Sequence, residues 1–236
     1  MNKNGSIGIF DSGVGGLKIL SAVRKAYPKE NIIYVFDRTH APYGKKSERY
    51  VKSRAEKISS LLIKKGVKTI IVACNTATTV AIKHLRNKYN ISFIGVEPPI
   101  KTACKENDGK ILLLCTPLTC RQQSVKELID KYDINDNIVC VPCPNLASDV
   151  EKHFSDLSAL KNKINSLLLP YKTINPSAVV LGCTHYYYIK DLIRETLGNI
   201  KIYEATDGVT KRLGSVLKKA DLFSEENIGL VKYIYL

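Results

Sequence analysis

Eight short apolar runs punctuate this chain, and charged segments long enough for helices separate them. The runs are "SIGIFD" (6–11), "NIIYVFD" (31–37), "TIIVAC" (69–74), "ISFIGVE" (91–97), "KILLLCT" (110–116), "NIVCVPC" (137–143), "AVVLGC" (178–183) and "KIYEAT" (201–206). Segments such as 45–66 and 158–171 read as helices between them. This alternation predicts an α/β fold with a largely parallel sheet. The polar residue at each strand's end falls at positions 11, 37, 74 and 97, then at 116, 143, 183 and 207, the last of these just past its run. Counted from the first of each set, the offsets are 26, 63 and 86 against 27, 67 and 91. One layout used twice predicts two similar lobes, each a largely parallel four-stranded sheet flanked by helices. The active site is expected in the cleft between them, because open α/β sheets bind ligands at the carboxyl ends of their strands.

A chain of 236 residues can bury a substantial core. No apolar run reaches the length of a membrane span, and the opening "MNKNGSIGIFDSG" lacks a signal peptide's apolar stretch, so a cytoplasmic location and no membrane partner are expected. In that compartment the seven cysteines (74, 104, 115, 120, 140, 143 and 183) are not expected to build a disulfide frame. Each is a free thiol, a ligand or a nucleophile. The formal charge of +14 is spread as lysine pairs (45–46, 64–65, 218–219) with no basic block and no recognition motif. That argues against nucleic acid as the main partner and is compatible with an anionic small substrate.

Two strand ends carry the chemistry. Cys74 closes an apolar run and precedes "TATTVAIKHLRNKY", which reads as a helix. Its thiol therefore lies at a helix N-terminus, where the dipole and free N–H groups favour thiolate. The same groups, with Asn75 and Thr76, can hold a carboxylate. Cys183, followed by Thr184 and His185, repeats the arrangement with an imidazole added. Either cysteine alone would read as a small buried hydrophobe. Two at equivalent strand ends do not.

In "FDSGVGGLKIL" (10–20), Asp11 and Ser12 end the first run, and the glycines allow a tight turn into a helix. Lys18 stands where a dinucleotide fingerprint needs its third glycine, and an Asp at the mouth would repel a phosphate. The loop reads as a close backbone approach to a small polar ligand, with the carboxylate placed for an ammonium or for proton relay. "THAPYGKKS" (39–47) is a loop after the second run. "CVPC" (140–143) has the form of a redox or metal pair, but there is no second pair, and histidines 40, 84, 153 and 185 show no ligand spacing, so no metal is expected.

Two thiols beside carboxylate-holding groups, without a cofactor motif, suit inversion of a carbon stereocentre. One group removes a proton from one face while another returns a proton to the opposite face. Hydrolysis by a Cys–His pair, or thioredoxin-like chemistry, would leave part of the pattern unused.

The motifs "DSGVGG", "PYG", "ACNTA" and "LGCTHY", in this order and spacing, resemble those of the glutamate racemases, a branch of the aspartate/glutamate racemase superfamily. The resemblance covers about residues 6 to 210. It implies cofactor-independent conversion of L-glutamate to D-glutamate for peptidoglycan. It implies Cys74 and Cys183 as the acid–base residues, with Asp11, Glu151 and His185 assisting. Asp11, Ser12, Tyr43, Gly44, Asn75, Thr76, Thr119, Thr184 and His185 would line the glutamate site. The family fold implies a first lobe of residues 1–97 plus 208–236 and a second of 98–207, and it allows a homodimer. Departures from the pattern are Cys115 before Thr116, Gln122, "VEPPI" (96–100), Ser148 and Tyr187. A racemase for aspartate is the rival reading, since it would keep both thiols and differ in pocket size.

Overall fold

Five of the apolar runs, those at 6–11, 31–37, 69–74, 110–116 and 178–183, become strands buried along their whole length, while the other three are only partly covered. A computed structural model describes residues 2–236. Its nine strands, among the described residues, are β1 (Ile7–Asp11), β2 (Ile32–Phe36), β3 (Thr69–Val72), β4 (Ser92–Gly95), β5 (Ile111–Cys115), β6 (Ile138–Pro142), β7 (Ala178–Gly182), β8 (Lys201–Tyr203) and β9 (Val231–Tyr235). They form two sheets, in the orders β4-β3-β1-β2-β9 and β6-β5-β7-β8. Every pairing is parallel. The chain divides into two compact units, one running through Val96 and resuming at Thr206–Leu236, the other Glu97–Ala205. The fold is α/β, with helices flanking both sheets. No helix among the described residues is long and apolar enough to cross a membrane.

The first unit's sheet has five strands rather than the expected four. The fifth, β9, lies parallel beside β2, with Ile32 opposite Val231 and Phe36 opposite Tyr235. Aromatic packing helps hold it there, since the rings of Phe36 and Tyr235 stack with centroids 4.9 Å apart. β1 and β3 are wholly buried. The helix Glu48–Lys64 begins where the Ser47 side chain accepts from the Tyr50 N–H, and it buries Val51, Ala55, Ile58 and Leu62. That spacing places one apolar stripe against the core.

In the second unit, β5 shows how a parallel strand serves two cores. Leu112 and Leu114 point into a cluster with Val141, Val179, Leu181, Ile164 and Ile193. Ile111, Leu113 and Cys115 point into the opposite cluster with Ile100, Ala103, Val125 and Val180. The period-two alternation of side chains, with both faces covered by helices, explains the uninterrupted "ILLLC".

The expectation that all seven cysteines are unpaired is corrected here. Cys115 at the end of β5 and Cys120 in the following helix Pro117–Arg121 form a disulfide, with Cα atoms 6.0 Å apart. A strand followed at once by a helical turn brings those Cα atoms within the bonding range. Closing so short a loop contributes about 2 kcal/mol in the chain-entropy account. Cys74, Cys104, Cys140, Cys143 and Cys183 are free.

Candidate functional site

In the first unit the candidate residues gather at the carboxyl ends of β1 and β3. Asp11 ends β1 fully buried, and its two carboxylate oxygens accept from the Ser12 N–H at 2.8 Å and the Gly16 N–H at 2.6 Å. Each oxygen has a second lone pair, so the carboxylate holds the loop that follows and retains the acceptor capacity that an ammonium or a proton relay needs. Gly16 must be glycine for space. A Cβ there would lie 2.5 Å from Tyr34 Oη and 2.9 Å from Asp11 Cβ.

Cys74 caps the helix Asn75–Lys88 in an extended conformation and is only 6% exposed. Its sulfur lies 4.0 Å from Ser12 Oγ. Asn75 and Thr76 occupy the helix's first turn, both buried. Asn75 Nδ2 donates to the Val96 carbonyl at 2.8 Å, and its buried Oδ1 accepts from nothing among the described residues. A buried carbonyl oxygen without a donor costs stability, which points to a donor supplied from outside.

Tyr43 and Gly44 lie in a short 3-10 turn, Tyr43–Lys45. The Tyr43 hydroxyl donates to Asp37 Oδ2. Burial, and then the Asp37 carboxylate, push its phenol far above the usual range, so it stays a neutral donor. Asp37, fully buried, is held by the Arg54 guanidinium at 2.5 and 3.0 Å and by His40 at 3.0 Å. Neither Asp37 nor Arg54 was singled out from the sequence. The available signal was that Asp37 closes its apolar run as Asp11 closes the first.

In the second unit the remaining candidates gather after β5 and β7. Cys183, 6% exposed, follows β7, and the fully buried pair Thr184 and His185 begins a 3-10 turn, Thr184–Tyr188. The expected repeat of the Cys74 arrangement therefore holds only in part. The α-helix starts later, at Lys190. In its place Cys183 has an imidazole, with His185 Nδ1 4.0 Å from the sulfur and His185 Nε2 2.7 Å from Glu151 Oε2. Glu151 comes from the helix Leu146–Lys152, so a carboxylate, an imidazole and a thiol stand in sequence.

Behind Cys183 lie two residues not singled out as functional. The thiol of Cys143 donates to the Val141 carbonyl at 3.2 Å, and the Tyr186 hydroxyl donates to the Cys143 carbonyl at 3.4 Å. Burial first, and then the neighbouring Cys183, push the Cys143 thiol up to about 12. It therefore stays protonated. The same causes raise the buried Tyr186 phenol. Cys140 and Cys143 of "CVPC" are both free thiols and form no bond with each other. Thr119 sits in the helix after β5, where its hydroxyl lies 2.9 Å from that of Thr116 and its N–H donates to Thr116 Oγ1. Tyr187 accepts from the Ala205 N–H, a packing role at a position where the sequence departs from its pattern.

Each unit thus presents one nearly buried thiol at a strand's carboxyl end, beside groups able to bind or relay protons. Comparison with known proteins bears on the family to which this fold belongs. The model of the Asp/Glu/hydantoin racemase family matches residues 17–211. A curated glutamate racemase of Clostridium perfringens is 38% identical over 226 residues, covering 94% of this chain and 87% of that one. Among solved structures, a glutamate racemase isoform from Bacillus anthracis superposes with a TM-score of 0.90 at 28% identity, covering 99% of this chain and 89% of the other. One from Francisella tularensis, in complex with D-glutamate, gives 0.86 at 29% identity, covering 99% and 88%. On the length of these matches and the fold they share, the chain belongs to the Asp/Glu/hydantoin racemase family and falls among its glutamate racemases.

Proposed function

We propose that the chain interconverts L- and D-glutamate by a two-base proton transfer, with Cys74 and Cys183 exchanging protons with opposite faces of one α-carbon. The observation that carries this is the pair of nearly buried thiols, each at a strand's carboxyl end and each with its own proton-handling neighbours. In one direction the Cys183 thiolate takes the α-proton of L-glutamate while the Cys74 thiol gives its proton to the other face, and the bond to hydrogen re-forms inverted. The reverse direction exchanges the roles. His185, linked to Glu151 at 2.7 Å, takes up or returns the proton of Cys183. Around Cys74, Ser12 Oγ and the N–H groups of the helix's first turn support the negative sulfur.

The unpartnered Asn75 Oδ1 is an acceptor for the substrate ammonium. Tyr43, Gly44, Thr76, Thr119 and Thr184 complete the set assigned to glutamate. Asp11, which also fixes the loop that carries Ser12, assists the proton transfer and lines the glutamate site with Ser12 and His185. The reaction requires neither pyridoxal phosphate nor metal, since two thiols supply both acid and base. We further place the activity in the cytoplasm, making D-glutamate for peptidoglycan, and include a homodimer as the assembly. Light scattering coupled to size exclusion reads that assembly directly.

The direct test incubates the protein with L-glutamate in D2O without added cofactor. Optical rotation should decay to zero while the α-proton signal is replaced by deuterium. Retained rotation, or activity appearing only after pyridoxal phosphate is added, would refute the reading. Faster racemisation of aspartate than of glutamate would move the substrate to the rival dicarboxylate.

A further inference from the structure

The Cys115–Cys120 bond encloses the Thr116–Thr119 hydroxyl pair. Thr116 accepts from the Thr119 N–H and caps the helix Pro117–Arg121, and the Cys120 N–H donates to the Thr116 carbonyl at 3.0 Å. The Gln122 N–H donates to the Thr119 carbonyl at 3.1 Å. A helix this short has little cooperativity of its own. Its geometry depends on what ties its two ends. One end is tied to the candidate site from behind. Cys115 pairs in register with Gly182, the residue before Cys183, and a Cβ on Gly182 would lie only 2.9 Å from that of Cys115. The Cys115 carbonyl also accepts from the Cys143 N–H at 2.8 Å.

The two sulfurs differ in access. Cys115 is fully buried and Cys120 is half-buried, so a reagent reaches the bond from the Cys120 side. From this geometry we propose that the Cys115–Cys120 bond is a redox-reversible clasp that, through the Thr116 cap, positions Thr119 for substrate. Opening it raises KM more than it lowers kcat. The proposal rests on the assignment of Thr119 to glutamate binding made under the proposed function. The chemistry is thiol–disulfide exchange. A dithiol attacks the Cys120 sulfur and the S–S bond breaks. The two cysteine sulfurs gain two electrons and the dithiol's two protons, and the dithiol closes to its own disulfide. A small-molecule disulfide carries the reaction backward. The cysteines touch no substrate, so they are positioning residues.

The experiment compares the oxidised protein with the same protein reduced by dithiothreitol. Thiol titration in denaturant should find five thiols before reduction and seven after, since five of the seven cysteines are free. Reduction should raise KM for both enantiomers roughly three- to ten-fold, the range of one weakened hydrogen bond, while kcat stays within about two-fold. Hydrogen exchange of the Thr119, Cys120 and Gln122 amides should speed up in the same step. Cys120→Ser should show the reduced protein's KM and ignore dithiothreitol. Cys104→Ser, outside the bond, should respond as the natural chain does. Seven thiols before reduction, or an unchanged KM across a verified change from five to seven, overturns the proposal. If neither state racemises glutamate, the functional reading fails separately, and unchanged amide exchange on reduction then overturns the clasp by itself.

Discussion

Cys74 and Cys183 stand at corresponding places, after β3 and after β7, yet their surroundings differ in kind. Cys74 sits at the start of a fourteen-residue helix beside a serine hydroxyl, so fixed dipoles surround it. Cys183 opens a 3-10 turn and faces an imidazole backed by a carboxylate, so side chains that can exchange protons surround it. One architecture has been given two ways of managing charge on sulfur. The first stabilises charge where it forms. The second sets a proton acceptor beside the sulfur. On the proposed mechanism, two bases that trade roles need not be chemically alike.

The largest effect should come from the sulfurs. Cys74→Ser or Cys183→Ser should each lower racemisation by at least about 10⁴-fold, because a hydroxyl is too weak an acid and base near neutral pH. Abstraction at the intact thiol should survive. Cys74→Ser should still eliminate from an L-glutamate analogue carrying a β leaving group, and Cys183→Ser from the D-analogue. If both variants lose both eliminations, the assignment of the two bases is wrong.

The imidazole relay sharpens the contrast. His185→Asn and Glu151→Gln should slow racemisation by roughly 10²-fold, the usual weight of one general acid–base group. At equilibrium the two enantiomers are equally stable, so kcat/KM must fall equally in both directions. The asymmetry must be read in elimination, where these variants should lose the L-analogue and keep the D-analogue. Equal loss on both would show that His185 serves the whole site rather than Cys183.

The strand layout and both thiols were legible because apolar runs closing on cysteine are local signals. What the sequence left hidden depends on partners far along the chain or on a prior about compartment. Asp37 reads as a strand-end carboxylate like Asp11, but its role depends on Arg54, seventeen residues away. The Cys115–Cys120 bond was set aside on compartment, although a strand-to-helix turn brings the two together. The 3-10 turn after Cys183 was read as a helix start because "THYYY" carries no stop signal. β9 pairs on one edge only and leaves Tyr233 and Tyr235 exposed, so its alternation had no buried face to make it plain.

Two smaller effects probe the supports behind each thiol. In the first unit, Asp37→Ala leaves Arg54 and the Tyr43 hydroxyl without their shared acceptor and should cost about 3 kcal/mol in urea unfolding. An unchanged midpoint would show that the pair contributes nothing. In the second, the Cys143 thiol is held up at about 12 against an ordinary 9.0, so above pH 9 the unfolded chain binds fewer protons than the folded one. Stability then falls as pH rises, by up to about 1.4 kcal/mol per unit between those values, with no effect below. Cys143→Ala should flatten that part of the stability profile. A parallel loss in both proteins would assign the effect elsewhere.

The placing of β9 imposes an order on events during synthesis. Its partner β2 is complete within the first forty residues, while Val231 emerges only after the whole of the second unit. At 5–20 residues per second the ribosome needs roughly 10–40 s to cover that span. Throughout it, the β2 edge presents unpaired N–H and C=O groups, an invitation to any passing strand. The inserted unit, continuous from Glu97 to Ala205, can meanwhile close on itself. The nascent chain is therefore open to misassociation along β2 for as long as the second unit is being made, and the exposure ends only when Val231–Tyr235 has been made.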